Sequence, residues 1–136
     1  MEARPISFQE WSHVAEDAHM ATFGEERPKD FNTFDYCIGA FNNEEMCGYA
    51  TVIEMDKTWA YMQHGGAFPN ISKSSKVIKA YKEILNLLRD NYSIISTKIE
   101  NENLPMLKLA LANGFLINGV DYISNKVIVH LMMEVQ

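Results

Sequence analysis

The chain has 136 residues, 47% hydrophobic and 22% charged, the balance of a soluble globular domain. That excludes a disordered, collagen-like or low-complexity chain. Eighteen acidic residues against twelve basic ones give a net charge of −6, which repels phosphate backbones and argues against general nucleic-acid binding. No apolar run reaches the roughly 18 residues of a membrane helix, so no membrane partner is expected. The first residues, MEARPISFQEW, have neither an apolar core nor a small-residue cleavage site. A single domain over residues 1–136, working in the cytoplasm, is the expectation.

A short strand is predicted around Ala3 to Ile6. Ser7 and Glu10 then stand at capping-box spacing. Trp11, Val14, Ala15, Ala18 and Thr22 follow helical periodicity, and Gly24 ends the helix. The stretch Gly24 to Thr33 is polar and Pro-containing, the signature of a loop. Asp35 to Phe41 and Met46 to Met55 are rich in β-formers and flank a turn at Asn42 to Glu45, predicting a hairpin. Thr58 to Phe68 predicts a third strand, in which Gly65-Gly66 suggests a bulge or a close approach to the backbone.

Pro69 stops that strand. After the loop Asn70 to Ser75, the apolar residues Val77, Tyr81, Ile84, Leu85 and Leu88 lie on one face of a helix. Lys76, Lys79, Lys82 and Arg89 point mostly to its solvated side. Tyr92 to Ile99 predicts a strand. Asn103 is a helix N-cap, Pro105 fits the first turn, and Asn113-Gly114 closes the helix. Phe115 to Val120 and Lys126 to Met132 predict two last strands, joined by a turn near Ser124-Asn125. The order is that of an α/β (α+β) chain: a mixed, mostly antiparallel central sheet of about six or seven strands, with about three helices packed on it.

His13, His19, His64 and His130 have no metal-ligand spacing with one another or with Cys37 and Cys47, so no metal is expected. Two cysteines do not make a disulfide framework, and buried free thiols are the expectation. The abundance of Trp59, Tyr61, Phe68 and the Leu131-Met132-Met133 tail raises the question of apolar surface beyond one core. Such surface would mark a partner face or a homo-oligomer.

The element order, together with Asn103, Met106, Ala110 and Gly114-Phe115, Gly48 in CGYATV and the strand ending Ala67-Phe68-Pro69, resembles the GNAT superfamily of Gcn5-related N-acetyltransferases. The resemblance spans nearly the whole chain. It implies transfer of an acetyl group from acetyl-CoA to a small-molecule or peptide amine. It places the cofactor on Ala67, on the loop and helix start Ser72, Lys73, Ser74, Ser75, Lys76 and Val77, and on Asn103. The family's loop carries glycines that let a pyrophosphate approach backbone N–H groups at a helix N-terminus; Ser72, Ser75 and Val77 stand at the matching positions. The family's helix tyrosine is matched by Ala110, and Tyr122 is a substitute elsewhere in the chain. A general base is expected on the central strands, with His64 and Glu54 as the catalytic candidates and Asp56 beside them.

The stretches GGAFP (Gly65 to Pro69) and ENENLPMLKL (Glu100 to Leu109) are also similar to small GNAT-like proteins of tailed bacteriophages. That likeness implies a second reading: a catalytically silent fold acting through protein partners of a phage particle, in the host cytoplasm or the virion.

Overall fold

The N-terminal capping spacing closes as read. The structure, a computed structural model, describes residues 1–12, 34–67 and 75–135. The Glu10 N–H donates to Ser7 Oγ at 3.1 Å, and the Ser7 N–H donates back to Glu10 Oε1 at 3.3 Å. The Ser7 backbone bond, followed by the Arg4 guanidinium, holds the Glu10 carboxyl below its ordinary range. Residues 8–12 are helical and Trp11 is fully buried. The expected helix end at Gly24 and the loop Gly24 to Thr33 lie outside the described residues.

Seven strands follow the predicted order: β1 (Glu2–Ile6), β2 (Tyr36–Asn42), β3 (Glu45–Asp56), β4 (Trp59–Ala67), β5 (Ile94–Glu100), β6 (Leu116–Ile123) and β7 (Lys126–Glu134). Helix α1 (Ser75–Asn91) joins β4 to β5, and α2 (Leu104–Ala112) joins β5 to β6. All seven strands form one sheet in the order β1-β2-β3-β4-β5-β7-β6. Its strand pairs are antiparallel except β4 with β5. A parallel neighbour requires a crossover, and α1 supplies it. Two hairpins turn through left-handed residues: Asn43 has φ 58°, and Ser124 and Asn125 have φ 51° and 64°. Two successive positive φ values are what the twist of a tight hairpin asks for.

Strand alternation sorts the core into two layers. On one face Ile38, Ala50, Val52, Ala60, Met62, Ile95 and Leu131 pack against Ala80, Tyr81, Ile84, Leu85 and Leu88 of α1 and Leu107 and Ala110 of α2. On the other face Cys37, Phe41 and Tyr49 pack with Ile6 and Trp11. Cys37 and Cys47 are buried and free, and burial pushes the Cys37 thiol up to about 12. In the register Cys37 faces Thr51, so the two sulfurs do not stand opposite each other.

Three expectations change. Arg89 does not join the solvated face of α1: its Nη2 donates to the Asn113 carbonyl at 2.7 Å, a cation held on the exposed carbonyls ending α2. The Met-rich tail is no surface patch, because β7 alternates Leu131 and Met133 into the core. Gly65 and Gly66 are in regular register opposite Ala50 and Tyr49; the extra residue of β4 is Gln63. Gly65 serves the close approach instead, since a Cβ there would lie 3.1 Å from the Tyr49 carbonyl oxygen.

Helix α2 ends in a Schellman motif. The Phe115 N–H reaches the Ala110 carbonyl and the Gly114 N–H reaches Leu111, with Gly114 at φ 99°. Gly114→Ala should therefore lower unfolding stability by about 1–2 kcal/mol, the cost of a left-handed non-glycine residue. Urea denaturation will measure it.

Candidate active site

The site is built where β4 and β5 part. Their parallel ladder runs for four pairs, from Trp59 with Ile94 to Met62 with Thr97. Beyond that point residues 63–67 of β4 keep β3 as their strand partner, and residues 98–100 of β5 keep β7. The sheet therefore opens as a V with Met62 and Thr97 at its apex. The bulge at Gln63 bends β4 and turns it away from β5.

Two buried threonines hold this geometry. Thr51, fully buried, faces His64 across the β3–β4 ladder. Its Oγ1 accepts the His64 N–H at 3.1 Å and lies 3.4 Å from the His64 carbonyl and 3.3 Å from Gln63 Oε1. The hydroxyl thus serves backbone groups that a bulge takes out of the regular ladder. At the apex Thr97 Oγ1 donates to the Met62 carbonyl at 3.1 Å, a bond made where the neighbouring strand leaves. Neither threonine carries a sequence signal beyond β-propensity. Their roles exist only once the register is known.

Topology brings the expected cofactor region to the same end. Because α1 returns the chain from the end of β4 to the start of the parallel β5, its N-terminus must lie at the open end of the V. Packing agrees: a Cβ built on Gly48 would lie 3.7 Å from Ala80 of α1 and 3.1 Å from the Gly66 carbonyl. Ser75, Lys76 and Val77 form the first turn of α1, which carries no acidic residue; Ser75 and Lys76 are exposed and Val77 half-buried. Ala67 ends β4 at the mouth of the opening. Ser72, Lys73 and Ser74 lie outside the described residues. Asn103 caps α2 just beyond the end of β5, accepting the Met106 N–H at 3.4 Å. The helix position that carries tyrosine in the GNAT resemblance is Ala110, fully buried in the core. Tyr122 is 73% exposed and donates to Asn125 in the β6–β7 hairpin.

The two catalytic candidates from the sequence are not brought together. His64 sits on the open part of β4, in the cross-strand row Cys37, Thr51, His64, with Nε2 screened from solvent. Glu54 pairs with Ala60, before the parallel ladder ends, and so lies toward the closed end with Asp56 and the β3–β4 turn. There Tyr92, which follows α1, donates to Glu54 at 2.8 Å and shares a 2.8 Å bond with the Tyr36 hydroxyl. The Asp56 carboxylate accepts the Thr58 N–H at 2.7 Å and the Thr58 hydroxyl at 2.8 Å. A hollow of about 390 Å³ lined by Tyr36, Glu54, Leu88 and Tyr92 marks this end. The strands around it are paired, whereas those at the V are parted. Glu54 and Asp56 end β3 at the closed end, because strand position alone does not tell which end of a ladder opens.

A pair that the sequence did not single out stands closer. Lys98, the first β5 residue past the apex, is paired with His130 of β7. His130 Nε2 lies 2.7 Å from Asp121 Oδ2 on β6. An ionised carboxylate only accepts, so Nε2 is the donor of this pair, and in the neutral ring Nδ1 is then the acceptor nitrogen. Lys98 Nζ lies 5.6 Å above the Tyr61 ring of β4. Strand pairing puts Tyr61, Lys98, His130 and Asp121 on the face of the sheet opposite α1 and α2. The spacing of nine residues between Asp121 and His130 is unremarkable in sequence; the β6–β7 hairpin makes them neighbours.

With this geometry in place, comparison with known proteins is informative. No protein-family model matches the chain, and no curated protein matches it in sequence. Solved structures do match. The ribosomal-protein-S18-alanine N-acetyltransferase of Escherichia coli superposes with TM-score 0.79 at 8% identity, over 98% of this chain and 93% of that one. A GNAT family acetyltransferase of Elizabethkingia anophelis with acetyl-CoA bound gives 0.73 at 13% identity, over 97% and 96%. A chimeric spermidine N-acetyltransferase from Vibrio cholerae and the human enzyme hSSAT gives 0.75 at 11%, over 98% and 96%. The chain has the fold of the GNAT acetyltransferases.

Thr51→Val keeps the shape but leaves the half-buried His64 N–H without its acceptor. It should cost about 1–3 kcal/mol of stability in urea denaturation.

Proposed function

We propose that this protein transfers an acetyl group from acetyl-CoA to an amine, with the V between β4 and β5 holding the cofactor. The observation that carries the reading is the parting of the two strands with the N-terminus of α1 and Asn103 both at its open end. The fit is physical. Backbone N–H and C=O groups of an opened ladder match the amides of a pantetheine arm. A helix N-terminus free of acidic residues, with Lys76 and Lys79 exposed beside it, favours a pyrophosphate. The fold shared with a structure holding acetyl-CoA supports the same assignment.

Ala67, Ser75, Lys76, Val77 and Asn103 would border the cofactor, and Ser72, Lys73 and Ser74 belong to the same loop in sequence. When bound, acetyl-CoA supplies an acetyl group activated as a thioester. The chain's own work is positioning and proton transfer. Helices α1 and α2 cover one face of the sheet, so the amine approaches on the other, where Tyr61, Lys98 and His130 stand. We assign His130 as the base: Asp121 orients the ring through Nε2, and Nδ1 takes the ammonium proton. His64 lines the β4 side of the opening. The neighbours named for alanine and spermidine acetylation make a peptide N-terminus and a polyamine the first acceptors to try.

Calorimetry with acetyl-CoA should give a Kd on the order of micromolar, and Ser75→Glu, which sets a negative charge against the pyrophosphate, should weaken it by at least about tenfold. Absence of binding at millimolar acetyl-CoA overturns the reading in favour of a silent fold acting through protein contacts. Where turnover is found with spermidine or an alanine-initiated peptide, His130→Gln should lower kcat by about 10²–10⁴-fold with acetyl-CoA affinity unchanged. Thiol release measures the rate.

A further inference from the structure

The two edges of the sheet are built differently. β1 (EARPI) carries Glu2, Arg4 and Pro5, with Glu2 and Arg4 exposed: charges and a proline that discourage further strand pairing. β6 (LINGVDYI) has no Lys, Arg or Pro, and its one charge, Asp121, is tied to His130. All eight β6 residues are exposed. Leu116, Ile117, Val120, Tyr122 and Ile123 are between 55% and 73% exposed. A long apolar edge strand without such protection is a template for another strand.

Its own sequence is the best match for that strand. β6 carries a bulge at Asn118, so Ile117, Val120 and Tyr122 share one face and Leu116, Gly119, Asp121 and Ile123 the other. Two antiparallel copies of β6 related by a two-fold axis at Val120 then pair Val120 with Val120, Tyr122 with Ile117 and Ile123 with Leu116. Every apolar residue meets an apolar residue on its own face, and Asp121 meets Gly119. Moving the axis to Asp121 would set two carboxylates directly opposite each other, which is unfavourable. Moving it to Gly119 would set Asp121 against Leu116. One register is therefore complementary and its neighbours are not.

We propose that β6 pairs antiparallel with β6 of a second copy about Val120, joining two seven-stranded sheets into one continuous sheet. The inference stands on the edge strand and does not depend on acetyl-CoA binding.

Sedimentation and oxidative cross-linking test it. The wild-type chain should sediment as a dimer at about 50 µM, above a Kd on the order of micromolar. Val120→Lys, at a position 63% exposed, should be monomeric with an unchanged circular dichroism spectrum. Val120→Cys tests the register without a charge. Directly opposed residues lie about 4.5–5.5 Å apart between Cα atoms, within disulfide reach, and the native cysteines are buried. That variant should form covalent dimers on mild oxidation. Ile123→Cys should not, its two copies being about 20 Å apart in this register. A monomeric wild type at 50 µM, a dimer that survives Val120→Lys, or cross-linking through Ile123→Cys as fast as through Val120→Cys each overturns the proposal.

Discussion

The hydroxyl of Thr51 on the bulged backbone of β4 is the constraint on which the open end of the sheet depends. A parallel strand pair has no inherent reason to part after four residues. It parts here because one extra residue, Gln63, turns β4, and because the displaced His64 N–H is bonded rather than abandoned. Thr97 does the corresponding service at the apex, bonding the Met62 carbonyl where β5 leaves. Buried backbone groups without partners are costly, and the two threonines supply partners on either side of the opening.

Much else follows from that V. The crossover helix α1 must begin at the open end and finish at the closed one. Its positive N-terminus is thereby set at the mouth, and its C-terminus beside Tyr92 and Glu54. The two ends of the sheet acquire opposite characters. The closed end is a turn region in which phenols and carboxylates satisfy one another. The open end gathers Asn103, the first turn of α1 and, on the face opposite α1 and α2, Lys98 and His130. Ala110 of α2 is buried in the core.

The far edge of the sheet obeys a separate constraint. β7 gives its alternate residues to the core and pairs with both β5 and β6, so it needs no cover. Among the described residues β6 has β7 as its one strand partner and is exposed along its whole length. Its apolar residues are the largest departure from an ordinary surface among the described residues, while the Met-rich tail that looked exposed in sequence is absorbed by β7.

The strands, helices α1 and α2, the Asn103 cap, the Gly114 helix end and the turns at Asn43 and Ser124-Asn125 were legible in the sequence, because each rests on local chemistry. The Ser7–Glu10 box, the Asn103 cap, Gly114 beyond a helix end and the alternation of β7 act over a few residues. The order of elements, added to Asn103 and Gly114-Phe115, was enough to indicate the fold. What only the tertiary structure decided are the relations between distant residues. The bulge fell at Gln63 rather than at Gly65-Gly66, because its cost is met by Thr51 twelve residues away. Glu54 fell at the closed end and His130 near the open one, because register, not residue type, assigns a strand position to an end of the sheet. Asp121 meets His130, and Arg89 meets the end of α2, through pairings that no periodicity encodes. Local propensity sets which segments form; the free energy of satisfying buried polar groups across the sheet sets where they open and which side chains face the opening.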